Sequence, residues 1–170
     1  MTATTYPTTK AQLLAELARE AETTRRVLER VPEDRLSWTP HPKSMTLGTL
    51  ALHIAAVPGA IADLVSDPAR DVPSFSPPEA TSRQQILSKL DESVALAVSR
   101  LSSWSEGYLH DEFRLTAGSE TVLAEPRLDM LRSVMLNHWY HHRGQLVVYL
   151  RLLDVPVPFV YGPSADESPF

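Results

Sequence analysis

The sequence predicts an all-α fold, a four-helix bundle in one domain that spans residues 1–170. Four segments repeat apolar side chains at steps of three and four residues, which is the pattern of amphipathic helices. Proline-rich and polar linkers of variable length separate these segments. The chain length and a hydrophobic content of 43% suit a single conventional core. Helices of similar length around one core favour a bundle.

The first two helices have clear signals at their ends. The first is predicted from about residue 8 to residue 31, with Thr9 as its N-terminal cap and Pro32 as its stop. One mostly apolar side of it consists of Leu13, Leu17, Glu20, Thr24, Val27 and Leu28. The second helix is predicted from Ser44 or Thr46 to about Ser66, with a kink at Pro58. Its apolar stretch also contains polar and helix-disrupting residues, so we expect a buried helix and no membrane span.

The second half of the chain contains two further helices and one irregular segment. The segment "SDPARDVPSFSPPEA" is predicted to be a loop, and Thr81 or Ser82 is predicted to cap a third helix that ends near Ser103. Residues 110–125 alternate in polarity around Gly118, which predicts a small hairpin or an extended crossing loop. The fourth helix is predicted from about residue 126 to residue 153, followed by a proline-rich tail.

Histidines interrupt the apolar lines of the second and fourth helices. In the fourth helix, one line at three- and four-residue steps consists of Leu131, Met135, His138, His142, Gln145, Tyr149 and Leu152; we call this line the histidine stripe. His138 and His142 are one turn apart and within about 6 Å at their Cβ atoms, so they could bind one ion together. His53 interrupts the line of the second helix, which otherwise consists of Leu50, Val57, Ile61 and Leu64. His141 lies on a flank of the stripe.

These polar side chains need partners if they are buried. An unpaired buried polar group costs ~1–3 kcal/mol, whereas a folded domain is stable by only ~5–15 kcal/mol. Either a hydrogen-bonded polar network or a metal ion would satisfy the histidines, and their spacing alone leaves both interpretations open. The residues between His138 and His142 include no glutamate, so the motif differs from the HExxH of metalloproteases.

At these residues the chain resembles the DinB-like superfamily of bacterial metal-binding proteins. The similar segments are "ERVPEDRLSWTPHPKSMTLGTLALHIA" (29–55), "NHWYHHRGQLVVYLRLLDVPVP" (137–158) and "YGPSADE" (161–167). The most specific motif is HxxxHRGQ, preceded by a histidine on the second helix. The resemblance implies a bundle that is usually a homodimer and a divalent ion, zinc or nickel, held by His53, His138 and His142.

The resemblance also implies a class of chemistry. Similar proteins include transferases that use bacillithiol, mycothiol or glutathione, and a mycothiol-dependent maleylpyruvate isomerase. We therefore expect a metal-dependent enzyme that activates a small thiol or water, like an S-transferase or a hydrolase. The alternative is a non-catalytic, stress-related protein that binds a metal or a small ligand. No acidic residue lies on the histidine stripe as a general base, which favours thiol activation over hydrolysis.

Composition restricts the partners. The chain has no cysteine, so a thiol would have to come from a small-molecule cosubstrate. A net charge of −5 without a basic patch argues against binding to nucleic acid or anionic membranes. The first ten residues lack the apolar region of a secretory signal, so we expect a cytoplasmic protein.

Five further residues near these motifs receive predicted roles. Gln145 could bond to a ligand histidine or a metal-bound water, or form a helix-packing hydrogen bond. Arg143 is expected in a surface or interface salt bridge, and Gly144 at a close helix approach such as a dimer contact. Tyr161 and Asp166 could border the pocket, although an ordinary docked tail is the favoured interpretation.

Overall fold

The computed structural model describes residues 8–74 and 78–170, which form four helices and a three-stranded sheet. The first three helices are α1 (Thr9–Leu28), α2 (Leu47–Leu64) and α3 (Arg83–Ser103). The fourth, α4, has three consecutive parts: an α-helical turn (Arg127–Met130), a π-helical segment (Leu131–Asn137) and an α-helix (His138–Leu152). The strands are β1 (Ala69–Asp71), β2 (Glu112–Ala117) and β3 (Glu120–Pro126), and short 3₁₀ turns occupy Glu33–Arg35 and Gly107–His110. Four helices are thus confirmed, whereas the all-α class is confirmed only in part, because a small three-stranded sheet is present beside them.

The sheet contains the hairpin that was one alternative for residues 110–125. Strands β2 and β3 pair antiparallel and are joined by two residues, of which Gly118 has a φ of 62°, a value that glycine adopts without strain. The short strand β1 pairs parallel to β2, with Ala69 opposite Arg114. The prediction of a loop was therefore wrong at residues 69–71. Residues 75–77 of that predicted loop, and residues 1–7 of the N-terminus, lie outside the described residues.

Each of the first three helices begins at a hydroxyl side chain that caps it. Thr8, one residue before the predicted cap, accepts a hydrogen bond from the backbone N–H of Ala11. Thr46, one of the two predicted starts of α2, and Ser82, one of the two predicted caps of α3, cap their helices in the same way. Each cap satisfies one backbone donor that a helix N-terminus leaves without a partner.

The four helices enclose one apolar core. Helix α2 packs mainly against α3 and α4, and α1 packs mainly against the other sides of α3 and α4. Helix α2 is long and apolar enough to cross a membrane, but 67% of it is buried within the fold, as expected for a core helix of a soluble protein.

Helix α2 approaches α3 closely at its internal proline. A Cβ atom on Gly59 would lie 2.7 Å from the carbonyl oxygen of Ser93, so only glycine fits there. The Ser93 hydroxyl accepts a hydrogen bond from the Gly59 N–H at 2.7 Å and donates one to the Ala56 carbonyl at 2.9 Å. The backbone on both sides of Pro58 is therefore fastened to α3.

The buried face of the last part of α4 differs from the histidine stripe. The fully buried residues there are Trp139, Arg143, Leu146 and Leu150. Gln145 is exposed, and Leu152 at the end of the predicted line is 58% exposed. The stripe therefore runs along the border of the core, where a side chain has access to solvent as well as to the protein interior.

Candidate metal centre

Three histidine side chains converge between α2 and α4. His53 lies in the second turn of α2, and His138 and His142 lie one turn apart in the last part of α4. The Nε2 atom of His138 is 2.6 Å from Nε2 of His142 and 3.4 Å from Nε2 of His53. The potential ligand atoms of all three lie within 4.8 Å of one another. The structure thus brings together the three ligands expected from the sequence, and all three rings are partly buried.

The outward ring nitrogens of two of these histidines have hydrogen-bond partners. Nδ1 of His142 lies 2.7 Å from Oε1 of Gln145. The His138 side chain bonds to the backbone of Val134. Because a carbonyl oxygen can only accept, the bond to Gln145 places the ring proton of His142 on Nδ1. Nε2 of His138 faces the cluster, so we assign the bond to Val134, and with it the ring proton, to Nδ1 of that ring. Nε2 of both neutral rings then carries a free lone pair.

The π-helical segment of α4 makes one of these partners available. In a regular α-helix the backbone N–H of His138 would bond to the carbonyl of Val134, four residues earlier. Here that N–H bonds to the carbonyls of Ser133 and Met135 instead. The Val134 carbonyl can therefore accept from the His138 ring. Single π-helical turns of this kind are frequent at functional sites.

Burial keeps the three imidazoles neutral. Burial and, to a smaller extent, the neighbouring His142 and His138 rings together lower the pKa of His53 to about 4. Burial likewise lowers the pKa of His138 and of His142, although hydrogen bonds to Val134 and Gln145 oppose the shift in each case. Neutral imidazole is the form that binds a metal ion.

The arrangement fits a metal ion better than a hydrogen-bonded network. Two lone pairs that face each other at 2.6 Å repel, because neither Nε2 carries a proton to share. A cation between them would remove that repulsion. Tetrahedral coordination at 2.0–2.1 Å places ligand nitrogens roughly 3.3 Å apart, which is close to the 3.4 Å between His53 and His138. The His138–His142 pair would have to open by less than about 1 Å.

The other residues near the motif lie around this cluster. Gln145 contacts His142, as described, so it bonds to a candidate ligand rather than to a neighbouring helix. His141 is exposed and its ring lies edge-on to that of His142, with 5.0 Å between the ring centroids. Gly144 is exposed, and a Cβ atom added there would meet nothing within 4 Å. It therefore permits no close approach within the described chain, and its predicted dimer contact stays a prediction.

Arg143 forms a salt bridge, as predicted, but the surface location that was one of its two predicted alternatives is wrong. It does not lie on the surface but is buried between α4 and α1, where its side chain is 2% exposed. Its guanidinium pairs with Glu20 at 2.7 Å and donates to the Thr24 hydroxyl at 3.1 Å. These two polar residues interrupt the apolar side of α1, and together they receive the buried charge. A buried cation requires such partners.

The C-terminal tail is docked, as favoured from the sequence. Tyr161 bonds to Arg143 and to Glu20, and Asp166 pairs with Arg151 and accepts from the backbone N–H of Val157. These contacts hold the tail against α1 and α4. Neither Tyr161 nor Asp166 belongs to the histidine cluster.

Sequence reasoning assigned no role to Trp139, the residue between His138 and Tyr140. Its side chain is fully buried, and its indole N–H donates to the carbonyl of Ile54 at 2.9 Å. The signal was present in the sequence, because Pro58 stands four residues after Ile54 and leaves that carbonyl without its helical donor. The sequence does not show which side chain donates to this carbonyl, because it does not show that α2 and α4 are neighbours.

Comparisons of the sequence and of the structure with known proteins point to the same family. The sequence model of the DinB family matches residues 1–169. An uncharacterized protein of Bacillus subtilis, YrdA, is 28% identical over 149 residues, which cover 87% of this chain and 85% of that protein.

Two crystal structures share the fold. A DinB-like protein from Bacillus cereus is similar with a TM-score of 0.69 and 26% identity, covering 88% of this chain and 95% of that one. A second DinB-like protein, from Bacillus subtilis, has a TM-score of 0.66 and 21% identity, with coverage of 88% and 96%. Both matches extend over nearly the whole of the solved chains.

Proposed function

Since the chain belongs to the DinB family, we propose that it is a divalent-metal protein in which His53, His138 and His142 hold zinc or nickel. We propose further that it is an enzyme that activates a small thiol or water for transfer to a small-molecule substrate. The observation that carries the proposal is the convergence of three Nε2 atoms. The ring protons of His138 and His142 are assigned to Nδ1, which leaves both of their Nε2 atoms free to bind an ion. Three protein ligands leave room for an exogenous one.

The ligand set favours an anionic partner. A bound divalent ion would lower the pKa of a coordinated water or thiol. The three imidazoles are neutral and contribute no negative charge, so a thiolate or hydroxide would be attracted to the site. The rings are only partly buried, which leaves access from solvent. The chain has no cysteine, so the thiol would be a low-molecular-weight cosubstrate.

Thiol activation is favoured over hydrolysis. Within residues 8–74 and 78–170, the group around the candidate site consists of histidines alone and includes no carboxylate. Attack by water usually needs a general base beside the nucleophile, whereas a thiol ionises more readily and is a stronger nucleophile. The non-catalytic alternative, a stress-related protein that binds a metal or small ligand, would use the same three ligands but give no turnover.

The proposal extends to compartment and assembly. A small-thiol cosubstrate is kept reduced in the cytoplasm, which favours a cytoplasmic enzyme. The outer face of α4 exposes Val148 and Leu152 beside Gly144, which supports a homodimer formed through this face.

The first experiment asks whether the metal is present and where it binds. Purified protein would be analysed for its elements, with and without reconstitution with zinc or nickel, and its melting temperature measured with and without chelator. We expect a bound ion, and a lower melting temperature after chelation because the ion binds only the folded state. His142→Ala should abolish both effects, whereas His141→Ala should keep them. Absence of metal even after reconstitution would refute the site, and equal loss in both variants would refute the ligand assignment.

The second experiment separates the enzyme from the binding protein. Metal-loaded protein would be screened with bacillithiol, mycothiol and glutathione against a panel of electrophiles, and with ester and amide substrates. Thiol conjugation that depends on His142 would support the transferase. Hydrolysis alone would favour the hydrolase, and no turnover from a metal-loaded protein would favour the non-catalytic alternative.

A further inference from the structure

The carbonyl of Ile54 is freed by the proline inside α2. Pro58 lies inside the helix and has no backbone N–H, so it cannot donate to the carbonyl four residues earlier. The carbonyl is in the core, where an unpaired acceptor would be costly. It is satisfied from another helix, by the indole N–H of Trp139 at 2.9 Å.

This hydrogen bond joins the residues that directly follow two candidate ligands. Ile54 follows His53 on α2, and Trp139 follows His138 on α4. The rings of His53 and His138 lie with their centroids 5.2 Å apart, beside the bond. Trp139 and Ile54 are both fully buried, so water cannot replace either partner.

A directional bond between fully buried groups restricts how the two helices can slide. A shift of α4 along α2 by one residue would move Trp139 by about 1.5 Å. The indole N–H and the Ile54 carbonyl would then both be buried without partners. Apolar contacts alone tolerate such a shift much better, because they have no preferred direction.

We propose that Trp139 is a positioning residue for the metal site. Its hydrogen bond to Ile54, made possible by Pro58, fixes the register of α4 on α2 and so keeps the Nε2 atoms of His53 and His138 within one coordination sphere. This inference rests on the proposed metal function. The contact between α2 and α3 supports it, because the Ser93 hydroxyl accepts from the Gly59 N–H and donates to the Ala56 carbonyl, and so holds the backbone around Pro58 against α3.

The first test removes the donor and keeps the aromatic ring. Trp139→Phe would be compared with Trp104→Phe, a control at a second buried tryptophan, at the end of α3. Affinity for Co²⁺ and its visible absorption spectrum would be measured beside chemical unfolding. We expect Trp139→Phe to weaken Co²⁺ binding by roughly 10- to 100-fold, as loss of an orienting partner does, and to alter the spectrum. Trp104→Phe should leave both unchanged. Unaltered Co²⁺ affinity and spectrum in a folded Trp139→Phe protein would overturn the positioning role.

The second test restores the competing donor and does not depend on the first variant folding. In Pro58→Ala, the new N–H can bond to the Ile54 carbonyl within α2. A merely structural view expects a more stable protein with an unchanged site, since alanine is the better helix former. We expect weaker Co²⁺ binding and faster hydrogen exchange of the Trp139 indole N–H. If both remain as in the wild type, the proposal is wrong.

The two proposals fail in different ways. A wild-type protein that binds neither Co²⁺ nor Zn²⁺ would overturn the metal function and the positioning role that rests on it. A wild-type protein that binds Co²⁺ through His142, with variants at Trp139 and Pro58 that bind it equally well, would overturn the positioning role alone.

Discussion

Gln145 shows how a single side chain can determine the form of a ligand. Its Oε1 atom accepts from Nδ1 of His142, which keeps Nε2 free to bind an ion. We expect Gln145→Ala to weaken zinc binding by roughly 10- to 100-fold, as measured by competition with a chromophoric chelator. Gln145→Glu is the matched control, because it keeps an acceptor oxygen at the same reach and should retain most of the affinity. Equal zinc affinity in Gln145→Ala and the wild type would show that Gln145 has no role in zinc binding.

Arg143 is a buried charge whose pairing should contribute to the stability of the fold. It is 2% exposed, and its partner Glu20 is 13% exposed. Arg143→Met would leave the Glu20 carboxylate buried without a counter-charge, which costs about 3–5 kcal/mol in free energy of unfolding. The double variant Arg143→Met/Glu20→Gln should recover part of this loss because it removes the unpaired charge. Urea unfolding of the three proteins would test this, and a double variant no more stable than Arg143→Met would contradict it.

The predictable residues were those whose signal lies within one helix. His138 and His142 share a face by spacing alone, and His53 interrupts an otherwise apolar line. The salt bridge of Arg143 could be predicted but its burial could not, because α4 packs against both α1 and α2 and buries a second face that the histidine stripe does not indicate. The sequence shows Glu20 and Thr24, the partners of Arg143, as polar residues in an apolar line, but it does not indicate which side chain they bind. The Trp139 bond depends on contact between two helices 85 residues apart in sequence, which no local pattern encodes.

At the scale of secondary structure, the π-helical segment of α4 is tied to one histidine. The backbone N–H of His138 does not bond to the carbonyl of Val134, so that carbonyl accepts a hydrogen bond from the His138 ring instead. In the zinc-loaded protein we therefore expect ¹⁵N NMR to show His138 coordinated through Nε2, with an Nδ1–H that exchanges slowly with water. The exposed imidazole of His41 provides a fast-exchanging reference. Coordination through Nδ1 of His138 would contradict the role given to the π-helical segment.

Neither the π-helical segment nor strand β1 could be predicted from the sequence. The π-helical segment has buried apolar residues at Leu131 and Met135, four residues apart, so a regular α-helix fits its pattern equally well. Strand β1 has three exposed residues, and its pairing with β2 joins segments 45 residues apart, for example Ala69 with Arg114. The hairpin, in contrast, has alternating polarity and a glycine at its turn, so its signal is local.

At the scale of the whole molecule, the histidine cluster should make stability depend on pH. In the metal-free protein the folded state holds His53 with a pKa of about 4, whereas the unfolded chain has the ordinary value of 6.5. Between these values the unfolded state binds more protons, so the free energy of unfolding should fall as the pH drops from 6.5 towards 4. The lowered pKa values of His138 and His142 act in the same direction. Urea unfolding across this range should give a shallower slope for His53→Gln, and an unchanged slope would contradict the prediction.

An exposed line of small and aliphatic residues on α4 is the proposed site of dimer formation. Gly144, Val148 and Leu152 repeat every four residues along the outer face of α4, and the two aliphatic side chains are 57% and 58% exposed. A glycine at the start of this line would let a second helix approach closely, and a two-fold axis would pair the line with its own copy. The contact would lie beside Gln145, so it would also border the open side of the metal site.

We therefore expect light scattering to give a mass close to twice the 18.9 kDa of one chain. Val148→Glu should yield the monomer, because two carboxylates would face each other across the axis without counter-charges. Val122→Glu is the matched control: Val122 is similarly exposed, at 53%, but lies on β3 and not on the line of Gly144, Val148 and Leu152. A wild-type protein that is monomeric at working concentrations would refute the dimer. If Val122→Glu disrupted the dimer and Val148→Glu did not, the interface would lie on the sheet and not on α4.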